Sequence, residues 1–230
     1  MTAIPPILRA DGPVTLIGGG DPEGADLREA LALAPVAVAA DGGADAALRH
    51  GIAPAAVIGD MDSLSPEAAR AFAGRLHRIE EQDSTDFDKA LTRIEAPAVL
   101  AVGFAGGRLD HELAALHSLV LRADRPCILL GPQTLAFHAP PALDLALAPG
   151  TLVSLFPLAS IQIRSTGLRW PTDHLAFAPD RRIGTSNEAT GPTSLHPATP
   201  GMLVILPRAT LAGALAALVR APRWPASPGG

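Results

Sequence analysis

No tyrosine occurs in this chain, and aromatic residues make up only 3% of its 230 positions. The 48% hydrophobic fraction must therefore build its core mainly from Ala, Leu, Val and Ile. A single cysteine, Cys127, excludes an internal disulfide, and its place in the run Cys127-Ile128-Leu129-Leu130 marks a buried structural thiol rather than a nucleophile. Lys and Arg form no basic run and the formal charge is -5, which argues against a nucleic-acid partner. No stretch approaches the roughly 20 apolar residues of a membrane span. Residues 1–12 hold prolines and an acid but no apolar leader segment, so the expectation is a soluble cytoplasmic protein without a membrane partner.

Two phosphate-binding signatures are also missing. Gly18-Gly19-Gly20 follows the first apolar run, but a dinucleotide fingerprint needs its third glycine at position 23, where Glu23 stands. No Gly-x4-Gly-Lys-Ser/Thr occurs, so any use of ATP must proceed without a P-loop. The triplet is then either a strand-to-helix turn or a place where backbone amides approach a phosphate. His111-Glu112 with His117 fails as a zinc motif, because a separation of six at roughly 100° per residue puts the two histidines on different helix faces.

What is present is a rhythm of short apolar runs and Ala/Leu-rich stretches. Strands are expected at 14–17, 36–40, 55–58 and 98–102, with helices at 25–33, 44–50, 66–73, 85–94 and 109–122. This alternation predicts an α/β fold: a parallel-sheet catalytic domain over residues 1–140. Beyond it, 151–156, 161–166 and 202–206 are strand-like, with Pro and Gly between, and predict a smaller all-β, sandwich-like domain over 141–208. The remaining 209–230, ending in a stretch rich in Pro, Gly and small residues around Trp224, reads as a partly disordered or loosely docked tail.

Acidic and glycine residues gather at the strand ends, the edge that holds ligands in open α/β sheets. In Val57-Ile58-Gly59-Asp60-Met61-Asp62-Ser63, an apolar run stops at a glycine and two carboxylates follow one residue apart. Such a pair suits one Mg²⁺ shared with substrate phosphates, or else a solvated loop in which Asp62 caps a helix. Similar clusters stand at Ala40-Asp41-Gly42-Gly43, at Gln82-Asp83-Ser84-Thr85-Asp86-Phe87-Asp88-Lys89, at Gly106-Gly107-Arg108-Leu109-Asp110-His111 and at Thr185-Ser186-Asn187-Glu188. Each alone could be a cap or turn, with Ser84 or Thr85 as N-cap, but together they favour one polyanion site.

In this order the clusters resemble the thiamine pyrophosphokinase (thiamine diphosphokinase) family, together with Gly167-Leu168-Arg169-Trp170 and Leu175-Ala176-Phe177, over about residues 14–206. The resemblance implies transfer of the pyrophosphoryl group of ATP to the hydroxyl of thiamine, giving thiamine diphosphate and AMP, by a homodimer with active sites at the subunit interface. It implies Mg²⁺ held by Asp60, Asp62 and Asp86, and nucleotide binding by Asp41, Gly42, Gly43, Gly106, Gly107, Arg108, Asp110 and His111. Gln82, Thr85, Ser186 and Asn187 would contact substrate, and Asp86, Asp110 and Arg108 would be catalytic, with Asp86 or Asp110 as the proton acceptor. Two positions depart from the family: Ala115, where many bacterial members have Asn, and Gly201-Met202-Leu203-Val204-Ile205, where some animal members carry a Trp against thiamine. Trp170 is accordingly open between a core position and the stacking group. The rival readings are a pyrophosphokinase acting on a pterin and a non-catalytic nucleotide or thiamine sensor; the Ser-Asn-Glu stretch argues against the first and the intact acids against the second.

Overall fold

The computed structural model describes residues 5–226, and the chain divides into two compact units. One holds the chain to Ser118 together with Leu129–Gly131; the other holds Leu119–Ile128 and the chain from Pro132 onward. In chain order the first unit contains β1 (Leu8–Arg9), β2 (Val14–Ile17), α1 (Gly24–Leu33), β3 (Val36–Ala40), α2 (Gly43–Arg49), β4 (Ala56–Gly59), α3 (Pro66–Ala71), β5 (Leu76–Arg78), α4 (Asp86–Thr92), β6 (Ile94–Glu95), β7 (Val99–Val102) and most of α5 (Leu109–Leu121). Beside β7 lies β8 (Cys127–Leu130), of which Leu129 and Leu130 fall in this unit.

Strands β3, β4 and β5 pair in parallel, as do β2 and β7. β3 lies beside β2, where the Thr15 hydroxyl donates to Ala34 O at 2.6 Å. Every residue of β2, β4 and β7 is buried, which is why β4 and β7 read as continuous apolar runs and β2 as one broken only by Thr15, rather than as alternation. The chain leaves β2 through α1 toward β3, but leaves β7 through α5 toward β8. Neighbouring strands whose connections depart in opposite directions open a crevice at their carboxyl ends. The Gly18–Gly20 turn belongs there and is tight: a Cβ at Gly18 would lie 2.7 Å from Gly103 O, and one at Gly20 2.5 Å. Glycine is required at Gly103 too, whose φ is +83°.

The second unit contains β9 (Thr134–His138), β10 (Leu143–Leu145), β11 (Leu152–Pro157), β12 (Ile161–Leu168), β13 (Ala176–Phe177), β14 (Gly184–Pro197), β15 (Met202–Pro207) and α6 (Leu211–Arg220). Its pairings are antiparallel, in the order β13-β12-β14-β11-β15-β9, with β10 also on β14. β12 alternates buried and exposed residues, as a sheet with one covered face must. The fourteen-residue β14 escapes a sequence reading because Gly, Ser, Asn and Pro interrupt it; pairing with three other strands holds it extended.

Two sequence expectations change. The units divide ahead of residue 140, because β9 pairs with β15 and so belongs with the β strands. The 209–230 stretch is no irregular tail over its first part: α6 buries Leu211, Ala214, Leu215, Ala217 and Leu218 on one face, and Trp224 Nε1 donates to Ala139 O at 2.9 Å. The β domain therefore carries a helix, and residues 227–230 lie outside the described part. No helix among the described residues is long and apolar enough to cross a membrane.

Candidate active site

At the carboxyl edge of the first unit's sheet, Asp41 follows β3 and Asp60 follows β4. Asp41 takes up a left-handed φ of 40°, and its backbone N–H donates to Ile58 O at 3.0 Å. This brings its side chain so close to β4 that a Cβ on Gly59 would lie 2.8 Å from Asp41 Cβ. The glycine that ends β4 is thus a condition for the acid that ends β3.

Asp86 opens α4, whose N-cap is Thr85; the Thr85 hydroxyl accepts from Asp88 N at 3.2 Å. Oxygens of Asp41, Asp60 and Asp86 lie within 4.8 Å of one another. Lys89, one turn along α4 and 2% exposed, donates to Asp60 Oδ2 at 2.9 Å and to Asp86 Oδ1 at 3.2 Å. Gln82 Nε2 also donates to Asp60 Oδ2, at 3.3 Å. The hydrogen bond from Lys89 draws the Asp60 pKa below the usual carboxylate range. Burial works against the Lys89 charge, but its bonds to Asp60 and Asp86 outweigh that and leave its pKa raised. For Asp41 the balance is opposite: burial, then the Asp86 charge, push its pKa up.

Asp41 is 3% exposed, and its Oδ2 accepts from Ser63 N at 3.2 Å while its buried Oδ1 has no hydrogen-bond partner among the described residues. A buried carboxylate oxygen left unpaired is costly, about 1–3 kcal/mol or more. Three carboxylates, one of them with an orphaned oxygen, offer the hard ligands that fit a divalent cation such as Mg²⁺. Asp62 does not join them. Met61 between the two acids has φ 68°, which breaks the extended alternation that would place Asp60 and Asp62 on one face. Met61 packs instead against the cluster of Ala39, Ala44, Val57, Ala68 and Phe72, while Asp62 Oδ1 accepts from the Ser63 hydroxyl at 2.9 Å. Of the expected metal set, Asp60 and Asp86 lie in this cluster with Asp41, while Asp62 lines the same cavity outside it.

These acids line a cavity of about 960 Å³ within the first unit. Its wall also includes Gly42, Asp62, Gln82, Thr85, Gly107, Arg108 and His111, so most residues expected to bind nucleotide or metal do converge. Gly43, Gly106 and Asp110 do not line it, Gly43 being buried and the other two exposed. Gly43 is there for packing, since a Cβ would lie 2.0 Å from Ile17 O, and Gly106 N donates to Glu112 Oε2 at 3.1 Å. Arg108 forms a two-pronged pair with Asp110, Nε to Oδ1 at 3.1 Å and Nη2 to Oδ2 at 2.6 Å. The Arg108 hydrogen bonds lower the Asp110 pKa to about 2, making that carboxylate a weak base. Ala115 is buried and lines the cavity, while His117 is exposed. Among the described residues, His111, Glu112 and His117 form no metal-ligand group. Sequence reasoning passed over Lys89; its only signal was a lysine three residues after an acid, the i,i+3 spacing of a helical pair.

In the second unit, Ser186 is exposed at φ 60° and its N–H donates to Ser154 Oγ at 3.0 Å. Asn187 is buried, its Oδ1 accepting from Trp170 N at 3.2 Å and Glu188 N at 2.8 Å, and its Nδ2 donating to Trp170 O at 2.7 Å. Trp170 is 54% exposed, so the core reading of that ring is corrected. The Arg169 guanidinium lies 5.0 Å from its ring centre, and the Trp borders a small cavity of about 180 Å³.

Comparison with known proteins adds a family. Residues 27–129 match the family model described as the catalytic domain of thiamin pyrophosphokinase, and residues 141–195 its vitamin B1 binding domain. A thiamine pyrophosphokinase 2 of Oryza sativa subsp. japonica is 29% identical over 154 residues, covering 58% of this chain and 58% of the relative. For the thiamin pyrophosphokinase 1 of Caenorhabditis elegans, identity is 29% over 154 residues, or 60% and 63% of the two chains. The chain thus spans less than two thirds of the length of these relatives. Among solved structures, a Lactobacillus plantarum protein superposes with a TM-score of 0.71 at 26% identity, covering 86% of this chain and 99% of that one. Yeast thiamin pyrophosphokinase shares the fold, with a TM-score of 0.69, 17% identity and 90% of each chain covered.

Proposed function

Because this chain belongs to the thiamin pyrophosphokinase family, we propose that it transfers the pyrophosphoryl group of ATP to the hydroxyl of thiamine, yielding thiamine diphosphate and AMP. The observation that carries the reading is the trio Asp41, Asp60 and Asp86 with its unpartnered buried Oδ1, set in a cavity large enough for a nucleotide. The thiamine oxygen bonds to the β-phosphorus as the bond from that phosphorus to AMP breaks, and the hydroxyl proton is released.

Asp41, Asp60 and Asp86 would hold Mg²⁺, which when bound offsets the negative charge of the phosphates. Arg108, on the cavity wall, grips phosphate oxygens in two-pronged fashion, and Asp110 aims its guanidinium until the nucleotide arrives. That role suits Asp110 better than proton acceptance, given its lowered pKa. Gly42 and Gly107 let the main chain come near the nucleotide, with His111 beside them. Gln82 and Thr85 position Asp60 and Asp86. In the second unit, Ser186 and Asn187 serve thiamine, Asn187 by fixing the main chain of Trp170. A homodimer with interface-built sites and a cytoplasmic location complete the proposal; no nucleic acid or membrane enters it. Incubation with thiamine, ATP and Mg²⁺ should give AMP and thiamine diphosphate in equal amounts, and a protein that forms neither refutes the reading.

A further inference from the structure

Among the described residues Lys89 is the one cation bonded within the acid cluster, and its two bonds take up Asp60 Oδ2 and Asp86 Oδ1, oxygens of the very carboxylates that a divalent cation needs. An ammonium has three donors. Among the described residues the third has no partner, although the side chain is 2% exposed and borders the cavity. We propose that Lys89 is an exchangeable counter-ion: it holds Asp60 and Asp86 together before the metal arrives, is displaced from them by the metal, and then donates to an oxygen of the bound di- or triphosphate.

Asp41, Asp60 and Asp86 carry three negative charges when ionised, within 4.8 Å, and without a cation they would repel strongly in a part-buried setting. Lys89 relieves that repulsion for the acids its own helix and β4 supply, yet leaves Asp41 Oδ1 unpaired. The ammonium therefore satisfies part of the cluster and a divalent ion would satisfy all of it. Both cannot keep the same oxygens, since an ammonium and a metal at this range repel. A lysine stem with four rotatable bonds can move its charge a few ångströms at little cost. Polyphosphate in the adjoining cavity is the anion that would receive it. The role assigned to the phosphate rests on the pyrophosphotransferase reading, whereas the exchange with metal does not.

The test separates these. Mn²⁺ is titrated into the full chain without substrate, followed by electron paramagnetic resonance. Lys89→Gln should bind it at least about tenfold more tightly than wild type, since the competing charge is gone; equal or weaker binding overturns the exchange. In the presence of Mg²⁺, inorganic pyrophosphate should bind Lys89→Gln about tenfold more weakly, with partial recovery in Lys89→Arg. Unchanged pyrophosphate affinity overturns the hand-over, because a purely structural ion pair would not affect it selectively. Should the variants unfold, the wild-type protein still decides: the ¹⁵N resonance of Lys89 Nζ should shift when Mg²⁺ is added, and a fixed resonance refutes the proposal. Failure of wild type to form AMP would remove the assigned reaction without touching the metal titration.

Discussion

The carboxamide of Asn187 holds Trp170 by both main-chain groups, accepting from its N–H at 3.2 Å and donating to its carbonyl at 2.7 Å. Three of the hydrogen bonds Asn187 can make are therefore spent within the protein, counting that from Glu188 N. Asn187→Ala should lower stability by about 1–3 kcal/mol, and thiamine KM should rise through displacement of Trp170. A thermal melt beside steady-state kinetics checks this. An unchanged melting temperature with a large loss of thiamine affinity would show that Asn187 touches the substrate directly.

Asp60→Asn and Asp41→Asn should weaken Mn²⁺ binding by at least about tenfold, and Asp62→Asn by no more than about threefold. The reason is that Asp62, which follows the left-handed Met61, lies outside the group whose oxygens fall within 4.8 Å of one another. Metal titration of the three variants measures it, and an Asp62 variant as weak as the others would restore the original ligand set.

The pH dependence of stability should differ between Asp41 and Asp60. With its folded pKa raised, Asp41 binds its proton more tightly when folded, so its contribution falls as pH rises from 3.8 through the raised value. Asp60 has a lowered folded pKa, so its contribution is complete above 3.8 and is lost as pH falls through the lowered value. In metal-free melts between pH 3 and 7 (about one unit below and three above the ordinary carboxylate pKa), Asp41→Asn should gain relative stability toward neutral pH. Asp60→Asn should lose about 1.5–3 kcal/mol there, the worth of hydrogen bonds to a charged partner. Parallel pH curves for both variants and wild type would contradict the assignment.

Gly59→Ala should damage the site without touching a ligand. The new Cβ would meet Asp41 Cβ at 2.8 Å, backbone-borne on both sides, so the Asp41 strand end must shift. A stability loss of about 1–3 kcal/mol with weakened metal binding is expected. Calorimetry and the same Mn²⁺ titration report it, and a variant binding metal normally would show that Asp41 is not a ligand.

Ending the chain after Pro207 should destabilise the β unit. It removes α6 and uncovers apolar surface against which Leu211, Leu215 and Leu218 are buried, each worth about 1.5–3 kcal/mol. Loss of soluble, cooperatively melting protein is the outcome expected, and an unaltered melt would mean the helix contributes little.

The sequence by itself determined the parallel sheet of the first unit, because strands buried on both faces must be apolar throughout and read plainly as such at 14–17, 36–40 and 98–102. It also marked the edge where the acids of the cavity gather, since acids and glycines stand wherever those runs end. Nothing local marked β14, whose Gly, Ser and Asn are held extended only by neighbouring strands, nor α6, whose apolar stripe acquires meaning from the sheet it covers. Likewise, Asp60 and Asp62 look equivalent on paper, and only a left-handed Met61, held by a hydrophobic cluster from β3, β4, α2 and α3, separates them. Which carboxylates come within reach of one another, and that Lys89 already stands between two of them, depends on contacts across tens of residues. Residue type records what a side chain can do chemically; only the packed strand ends decide which of them meet.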